Sequence, residues 1–333
     1  MRILVTGAAG FIGSHFVRAL LDDRYAGGWR DAAVTALDKL TYAGARRNLP
    51  AAHPRLTFVR GDVCDRALLR DVLPGHDAVV HFAAETHVDR SLQGAGEFFR
   101  TNVLGTQTLL DAVLETGVER VVHVSTDEVY GSIAAGSWTE DSPLRPNSPY
   151  AASKAGADLV ARAYWRTHRV NVSVTRCSNN YGPFQHPEKL IPLFVTNLLE
   201  GRPVPLYGDG RNVREWLHVD DHCRGIHLVL DRGEPGEVYH VGGGNAWTNR
   251  DLTRRLLDLT GADPDLVRHV ADRRAHDLRY AIDDTRIREE LGYVPRVGFD
   301  AGLAATVAWY RDNPDWWKAV KYGAERSAPP PAP

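Results

Sequence analysis

The sequence predicts an α/β protein: a doubly wound parallel sheet with a smaller, mostly C-terminal lobe. Three observations predict it. An apolar run, Ile3–Thr6, leads straight into a glycine-rich turn and a helical stretch. Short Val- and Ile-rich runs then alternate with helix-length segments through the first half of the chain. After Asn180 prolines and clustered glycines break that alternation.

The apolar runs are Ile3–Thr6, Val34–Leu37, Thr57–Val59, Ala78–Phe82, Val121–Ser125 and Val172–Arg176. Each is short and continuous rather than alternating, which suits strands buried on both faces. Helix-like segments lie between them: Gly13–Asp22, Asp65–Val72, Phe98–Thr116 and Ala151–Thr167. Strand–helix alternation implies right-handed crossovers and a Rossmann-type sheet. Leu217–Leu230 and Val238–Gly242 return to that texture, whereas Asn249–Thr260, Asp284–Leu291 and Phe299–Arg311 read as helices of the smaller lobe. The expected division is therefore residues 1–180 with later contributions from about 212–243 as the nucleotide-binding half. Residues 181–323 form a discontinuous substrate lobe, and 324–333 a disordered tail ending in Ala-Pro-Pro-Pro-Ala-Pro.

Composition narrows the function. The chain has 333 residues, is 43% hydrophobic and 25% charged, and carries a net charge of −2. A large core is feasible, and no basic surplus argues for nucleic acid. No apolar run reaches the roughly 18 residues a membrane span needs. The N-terminus enters the first strand without a leader, so a cytoplasmic enzyme is expected. Cys64, Cys177 and Cys223 are widely spaced and read as reduced thiols, and the histidines show no metal-ligand spacing.

Gly7-Ala8-Ala9-Gly10-Phe11-Ile12-Gly13 sits between the first strand and the first helix. Small residues there permit a tight turn and let backbone N–H groups approach a pyrophosphate at a helix N-terminus. Phe11 and Ile12 need contribute only backbone and could equally be packing residues. Asp38 ends the second strand, where a carboxylate accepts from ribose hydroxyls and repels a 2′-phosphate, so NAD is expected rather than NADP. Asp62, with Val63, follows the third strand and reads as an adenine contact, as a helix cap, or as both at once. Phe82 ends the fourth and counts among the cofactor contacts, and Ala83-Ala84-Glu85 follows it, where small residues let a cofactor lie close.

Tyr150 and Lys154 are four residues apart on an expected helix and share a face. A nearby ammonium favours phenolate, making Tyr150 a base for an alcohol being oxidised. Alone such a pair is a common surface feature; beside a dinucleotide loop it is a catalytic candidate. Ser125-Thr126-Asp127-Glu128-Val129-Tyr130-Gly131 ends the fifth strand. Two adjacent carboxyls there can have their pKa values pushed apart into one acid and one base.

Together these features resemble the extended short-chain dehydrogenase/reductase family, and within it the sugar-nucleotide 4,6-dehydratases, over Met1 to about Gly323. Asp38-Lys39-Leu40-Thr41-Tyr42-Ala43-Gly44 is similar to the branch acting on dTDP-glucose rather than on GDP-mannose. The resemblance implies a tightly bound NAD+ and C4 oxidation, followed by loss of water across C5 and C6 and hydride return to C6. It implies that Tyr150 takes the O4 proton beside Lys154, Thr126 steadies O4, Glu128 removes the C5 proton and Asp127 protonates the leaving C6 hydroxyl. It adds Lys39, Leu40, Thr41, Thr101 and Asn180 to the cofactor contacts. It gives Thr86, Asn179, Lys189, Leu190, Pro205, Tyr207, Arg214, Asn249, Arg273 and His276 to the nucleotide sugar. Asp272-Arg273-Arg274-Ala275-His276-Asp277 departs from the family's Asp-Arg-Pro-Gly-His-Asp, which exchanges a rigid glycine turn for a more cationic, flexible one. The resemblance also implies a homodimer paired through the helices Phe98–Thr116 and Ala151–Thr167 as a four-helix bundle. A sugar-nucleotide 4-epimerase or decarboxylase would share the Tyr/Lys pair and NAD without needing the Asp127–Glu128 couple. A regulator that kept the fold and lost catalysis is the alternative from outside the enzymes.

Overall fold

A computed structural model describes residues 1–323; the expected tail lies outside the described residues. In chain order the strands are β1 (Arg2–Thr6), β2 (Ala33–Asp38), β3 (Leu56–Arg60), β4 (Ala78–His81), β5 (Arg120–Thr126) and β6 (Val172–Cys177). They continue as β7 (Asn179–Tyr181), β8 (Val204–Tyr207), β9 (Val213–His218), β10 (Val238–Val241), β11 (Asn245–Thr248) and β12 (Val267–Val270). Seven of them form one sheet in the order β3-β2-β1-β4-β5-β6-β10, with every pairing parallel. The order reverses between β1 and β4, so ligand binding is expected beyond their carboxyl ends. Three-stranded (β11-β9-β7) and two-stranded (β12-β8) sheets belong to the second half of the chain.

The helices are α1 (Phe11–Leu21), α2 (Arg66–Val72), α3 (Val88–Gln93), α4 (Gly96–Phe98), α5 (Gly105–Thr116) and α6 (Pro149–His168). After these come α7 (Leu190–Leu199), α8 (Val219–Arg232), α9 (Asn249–Thr260), α10 (Thr285–Leu291), α11 (Phe299–Asp312) and α12 (Pro314–Gly323). Apolar residues of α1 and α8 cover one face of the large sheet, and those of α2, α5 and α6 cover the other. A third core, with Phe194, Leu252, Leu256, Leu303 and Tyr310, holds α7, α9 and α11 together. Local chemistry sets the ends. Ser148 Oγ accepts from Ala151 N at 3.1 Å with Pro149 opening α6, and Thr248 Oγ1 accepts from Asp251 N at 3.0 Å to start α9.

Two expectations needed correction. The stretch expected as one helix, Phe98–Thr116, is divided: a π-helical turn, Phe99–Leu104, separates α4 from α5. That wide turn directs Thr101 to the cavity and buries Asn102. Asn102 accepts from Glu85 N at 2.8 Å and donates to Glu85 O at 3.0 Å and to Ser153 Oγ at 2.8 Å. The proline-broken region also holds a regular helix, α7. Its Pro192 is the third residue, where the missing N–H has no intrahelical partner to lose.

Candidate active site

A single cavity of about 1000 Å³ runs from the glycine turn, past the end of β5, to α7, β8 and the loop after β12 at Arg273. At its first end Gly7 takes φ +65°, and a Cβ there would lie 2.6 Å from Ala83 N. A Cβ on Gly13 would lie 2.3 Å from Gly7 O. Both positions demand glycine, and the first turn of α1 is left facing the cavity with its N–H groups. Asp38 accepts from Ala9 N (2.9 Å) and Leu40 N (2.8 Å). Burial raises its carboxyl, while the two backbone donors and Lys39 oppose that. Lys39 Nζ lies 3.4 Å from Thr101 Oγ1 and 3.8 Å from the Asp62 carboxylate. A glycine cradle without room for a Cβ, an open helix N-terminus and a buried ribose-side carboxylate fit a dinucleotide; a second phosphate beside Asp38 would meet like charge.

Asp62 is not a helix cap. Its Oδ1 accepts from Cys64 N at 2.9 Å and its Oδ2 from Arg100 at 2.9 Å, and Asp65 caps α2 instead. Leu40, held at φ +58°, points into the core behind the cavity rather than into it. Val63, Phe82, Ala83, Ala84 and Thr41 form cavity wall.

The middle of the cavity is built by β5 and the start of α6. Thr126 ends β5, and a short 3-10 turn, Asp127–Tyr130, follows. Thr126 Oγ1 accepts from Glu128 N and donates to Asp127 Oδ1, both at 3.3 Å. Asp127 is buried behind the wall, and its Oδ2 has no partner. Burial, then the Glu128 and Glu215 carboxylates, push its pKa well above the ordinary aspartate value, which favours the protonated form. Glu128 lines the cavity; burial raises it too, but the cations Lys189, Arg214 and Arg273 pull it back. The two carboxyls thus differ in the direction of an acid beside a base.

Tyr150 and Lys154 line the same region, and Lys154 Nζ donates to Val124 O at 2.8 Å. The expected lowering of the Tyr150 phenol is not found. Burial, then the Glu128 carboxylate, raise it well above its ordinary value. Lys154 itself is lowered by burial, with Asp158 opposing.

The far half gathers residues from across the second half of the chain. Lys189 Nζ donates to Thr86 O at 2.7 Å. Arg214 donates to Val213 O and Asp277 O at 2.8 and 2.9 Å, and its guanidinium sits 4.3 Å from the Tyr280 ring centre. Arg273 grips Asp89 through Nε at 2.5 Å and Nη2 at 2.9 Å, 5.1 Å from the Tyr207 ring centre. His276 Nδ1 is 2.6 Å from Asp272 Oδ1, and its ring lies edge-on to Tyr207. Asn179 and Asn249 each bury a side-chain oxygen without a partner on this wall, alongside Leu190 and Pro205. Asn180 lines the wall, yet its Oδ1 already faces His222 Nδ1 at 2.9 Å. Ala275 occupies φ +51°, a left-handed position that suits glycine, so the departure from the family motif is a conformational one.

Sequence reasoning missed several wall residues. His87, Arg90, His186 and Glu188 flank motifs already singled out, but their convergence depends on tertiary structure. Lys321 and Tyr322 reach the wall from α12, and their spacing in the sequence gives no hint of it. Among the described residues no group of three or more His, Cys, Asp or Glu could hold a metal ion, and no described helix is long and apolar enough to cross a membrane.

Known proteins match along nearly the whole chain. The family described as GDP-mannose 4,6 dehydratase matches residues 4–306. A dTDP-glucose 4,6-dehydratase of Streptomyces antibioticus is 61% identical over 333 residues, 100% of this chain and 98% of that protein. The low-salt glycan biosynthesis protein Agl12 of Haloferax volcanii is 50% identical over 312 residues, 93% of this chain and 98% of that protein. Among solved structures, the dTDP-glucose 4,6-dehydratase DesIV of Streptomyces venezuelae, with NAD and dTDP bound, superposes with a TM-score of 0.94. It is 64% identical over 96% of this chain and 100% of its own. A UDP-glucose 4-epimerase of Thermotoga maritima gives a TM-score of 0.86 at 30% identity over 94% of this chain and 99% of its own.

Proposed function

This chain belongs to the nucleotide-sugar 4,6-dehydratase family, and from that membership we propose that it converts dTDP-glucose to dTDP-4-keto-6-deoxyglucose and water. It is an NAD-dependent lyase. The observation that carries this reading over the related 4-epimerase is the Asp127–Glu128 pair, a raised acid beside a cation-held carboxylate at the Tyr150 site. Epimerisation needs no such couple.

NAD, when bound against Gly7, Gly10, Phe11, Ile12, Gly13 and Asp38, supplies two-electron exchange with the sugar, withdrawn at C4 and given back at C6. The chain's own residues move the protons. Tyr150 removes the O4 proton, and Thr126 hydrogen-bonds O4 as charge develops. A phenol raised by burial needs cationic help for this, which is the task of Lys154 and of the positively charged cofactor ring. The new C4 ketone acidifies C5–H, and Glu128 takes that proton. Asp127 gives its proton to the C6 hydroxyl, which departs as water and leaves a C5–C6 double bond. Glu128 then returns a proton to C5 as C6 is reduced, and the O4 proton held by Tyr150 passes through solvent to replace the one Asp127 gave to the departing water, so atoms and charges balance. Lys189, Arg214 and Arg273 are the diphosphate ligands. Thr86, Asn179, Leu190, Pro205, Tyr207, Asn249 and His276 complete the nucleotide-sugar site.

In this reading residues 1–180 with about 212–243 serve the cofactor, and 181–323 serve the nucleotide sugar. Phe99, Leu104 and Leu159, all about half exposed around α5 and α6, support a homodimer through a four-helix bundle. A freely diffusing nucleotide sugar supports a cytoplasmic site.

The test is mass spectrometry of the purified chain with dTDP-glucose in deuterated water and no added NAD+. Product one water lighter and carrying one solvent deuteron is expected. Epimerised substrate of unchanged composition would overturn the dehydratase reading.

A further inference from the structure

We propose that Tyr42 and Glu188 form a clasp that retains the dinucleotide by joining the loop after β2 to the segment entering α7 across the mouth of the cofactor groove. The proposal rests on the reading that NAD is the bound cofactor.

Three segments far apart in sequence meet here. Tyr42 sits between Thr41 and Ala43, both on the cavity wall, in the loop that leads on from Asp38. Its hydroxyl donates to Glu188 Oε1 at 3.1 Å. Arg90 of α3 lays its guanidinium 3.6 Å from the Tyr42 ring centre and 3.6 Å from Glu188 Oε2. His186 sets its ring edge-on to Tyr42, with centroids 5.4 Å apart, and His87 Nε2 is 3.8 Å from Glu188 Oε2.

Two features set this cluster apart from ordinary surface pairing. Glu188 is largely buried, with a side-chain exposure of 13%, and its Oε2 lacks a hydrogen-bond partner. A carboxylate so placed is costly unless cations face it, and Arg90 and Lys189 do. His87, Arg90, His186 and Glu188 all form cavity wall rather than core. The contacts therefore lie at the cavity wall rather than in an interior. Asp38, Asp62, Tyr150 and Lys154 line the same cavity. The clasp ties the loop beside Asp38 to the segment that carries Lys189. The chemistry gives it a purpose: the cofactor finishes each cycle in its starting redox state, so turnover never requires its exit, and escape midway would strand an oxidised sugar.

Tyr42→Phe removes the hydroxyl and keeps the ring under Arg90; Glu188→Gln removes the charge. Dinucleotide content after prolonged dialysis, and its release rate into excess competitor, should change by roughly 10-fold for each variant, as for loss of a hydrogen bond to a charged group. The double variant should release no faster than the faster single one, because both act on one contact. Activity should decay on dilution and return with added NAD+, which a merely structural defect would not do. Release rates within about twofold of the parent in both variants would overturn the clasp. A parent that purifies with no dinucleotide and binds none would instead overturn the NAD reading itself.

Discussion

Asp158 offers the sharpest test of what holds the helix that carries Tyr150 and Lys154. It lies one turn beyond Lys154 on α6, and both it and its partner Arg176 on β6 are inaccessible to solvent. Arg176 Nε is 2.8 Å from Asp158 Oδ2, another of its N–H groups reaches the Tyr130 hydroxyl, and His123 Nε2 is 3.3 Å from Asp158 Oδ1. Burial alone would raise the Asp158 carboxyl, yet Arg176 and His123 hold it far below the usual range. Asp158→Asn removes the negative charge and leaves a guanidinium buried without its counter-ion. Breaking one side of such a pair costs about 3–5 kcal/mol. At about 2 °C per kcal/mol for a chain of this size, the melting temperature should fall by roughly 6–10 °C. The depressed carboxyl contributes stability that is present above its unfolded value of 3.8 and lost only as pH falls through the much lower folded value. The gap between parent and variant should therefore be constant across the neutral range. Differential scanning calorimetry with saturating NAD+ reads it. A fall of under about 2 °C would refute the reasoning. So would a double variant, Asp158→Leu with Arg176→Met, less stable than Asp158→Asn, since apolar replacement of the whole pair should be milder.

Three further outcomes are expected. Glu128→Gln should still oxidise C4 but lose about 10²–10⁴-fold in product formation and incorporate no C5 deuterium; normal exchange would remove Glu128 from the base role. Gly13→Ala sets a Cβ 2.3 Å from the Gly7 carbonyl oxygen. Forcing that backbone apart should weaken NAD retention on the order of 10-fold or more, read by isothermal titration of stripped protein, and unchanged affinity would contradict the cradle. Burial holds His222 and His240 down at about 3 and His87, His186 and His227 at about 4. Below their unfolded value of about 6.5 the unfolded chain binds more protons, so stability should fall from there toward about pH 4, by up to about 1.4 kcal/mol per histidine and pH unit; a melting temperature flat between about pH 7 and pH 5 would contradict their burial.

The large sheet was legible because its strands are continuous apolar runs, and buried parallel strands leave no other pattern. The helix α7 was hidden by the same property. Leu190–Leu199 is apolar nearly all round and carries a proline at its third position, so neither helical periodicity nor a clean start signals it. At the site, motif spacing identified the glycine turn, the Thr126–Glu128 turn and the Tyr150–Lys154 pair, because each lies within one local element. The cap alternative for Asp62 failed because Asp65, three residues on, has the same chemistry and the right backbone, whereas Asp62 itself lines the cavity. The Tyr150 phenol could not be read either. Its pKa depends on burial and on carboxylates from another element, which spacing along α6 does not encode.

The wide turn at Phe99–Leu104 has a consequence for how this chain can change length. A π-turn carries one residue more than the α-turn it replaces, so the segments on its two sides are out of phase by about 100°. Deleting one residue there would leave a smoother helix, swing Thr101 off the cavity and Asn102 out of its buried site, and break the ties to Lys39, Glu85 and Ser153. Substitutions within the turn change one contact each. A deletion would change all of them at once while improving the local backbone, so at this point in the chain the number of residues is constrained more tightly than their identity.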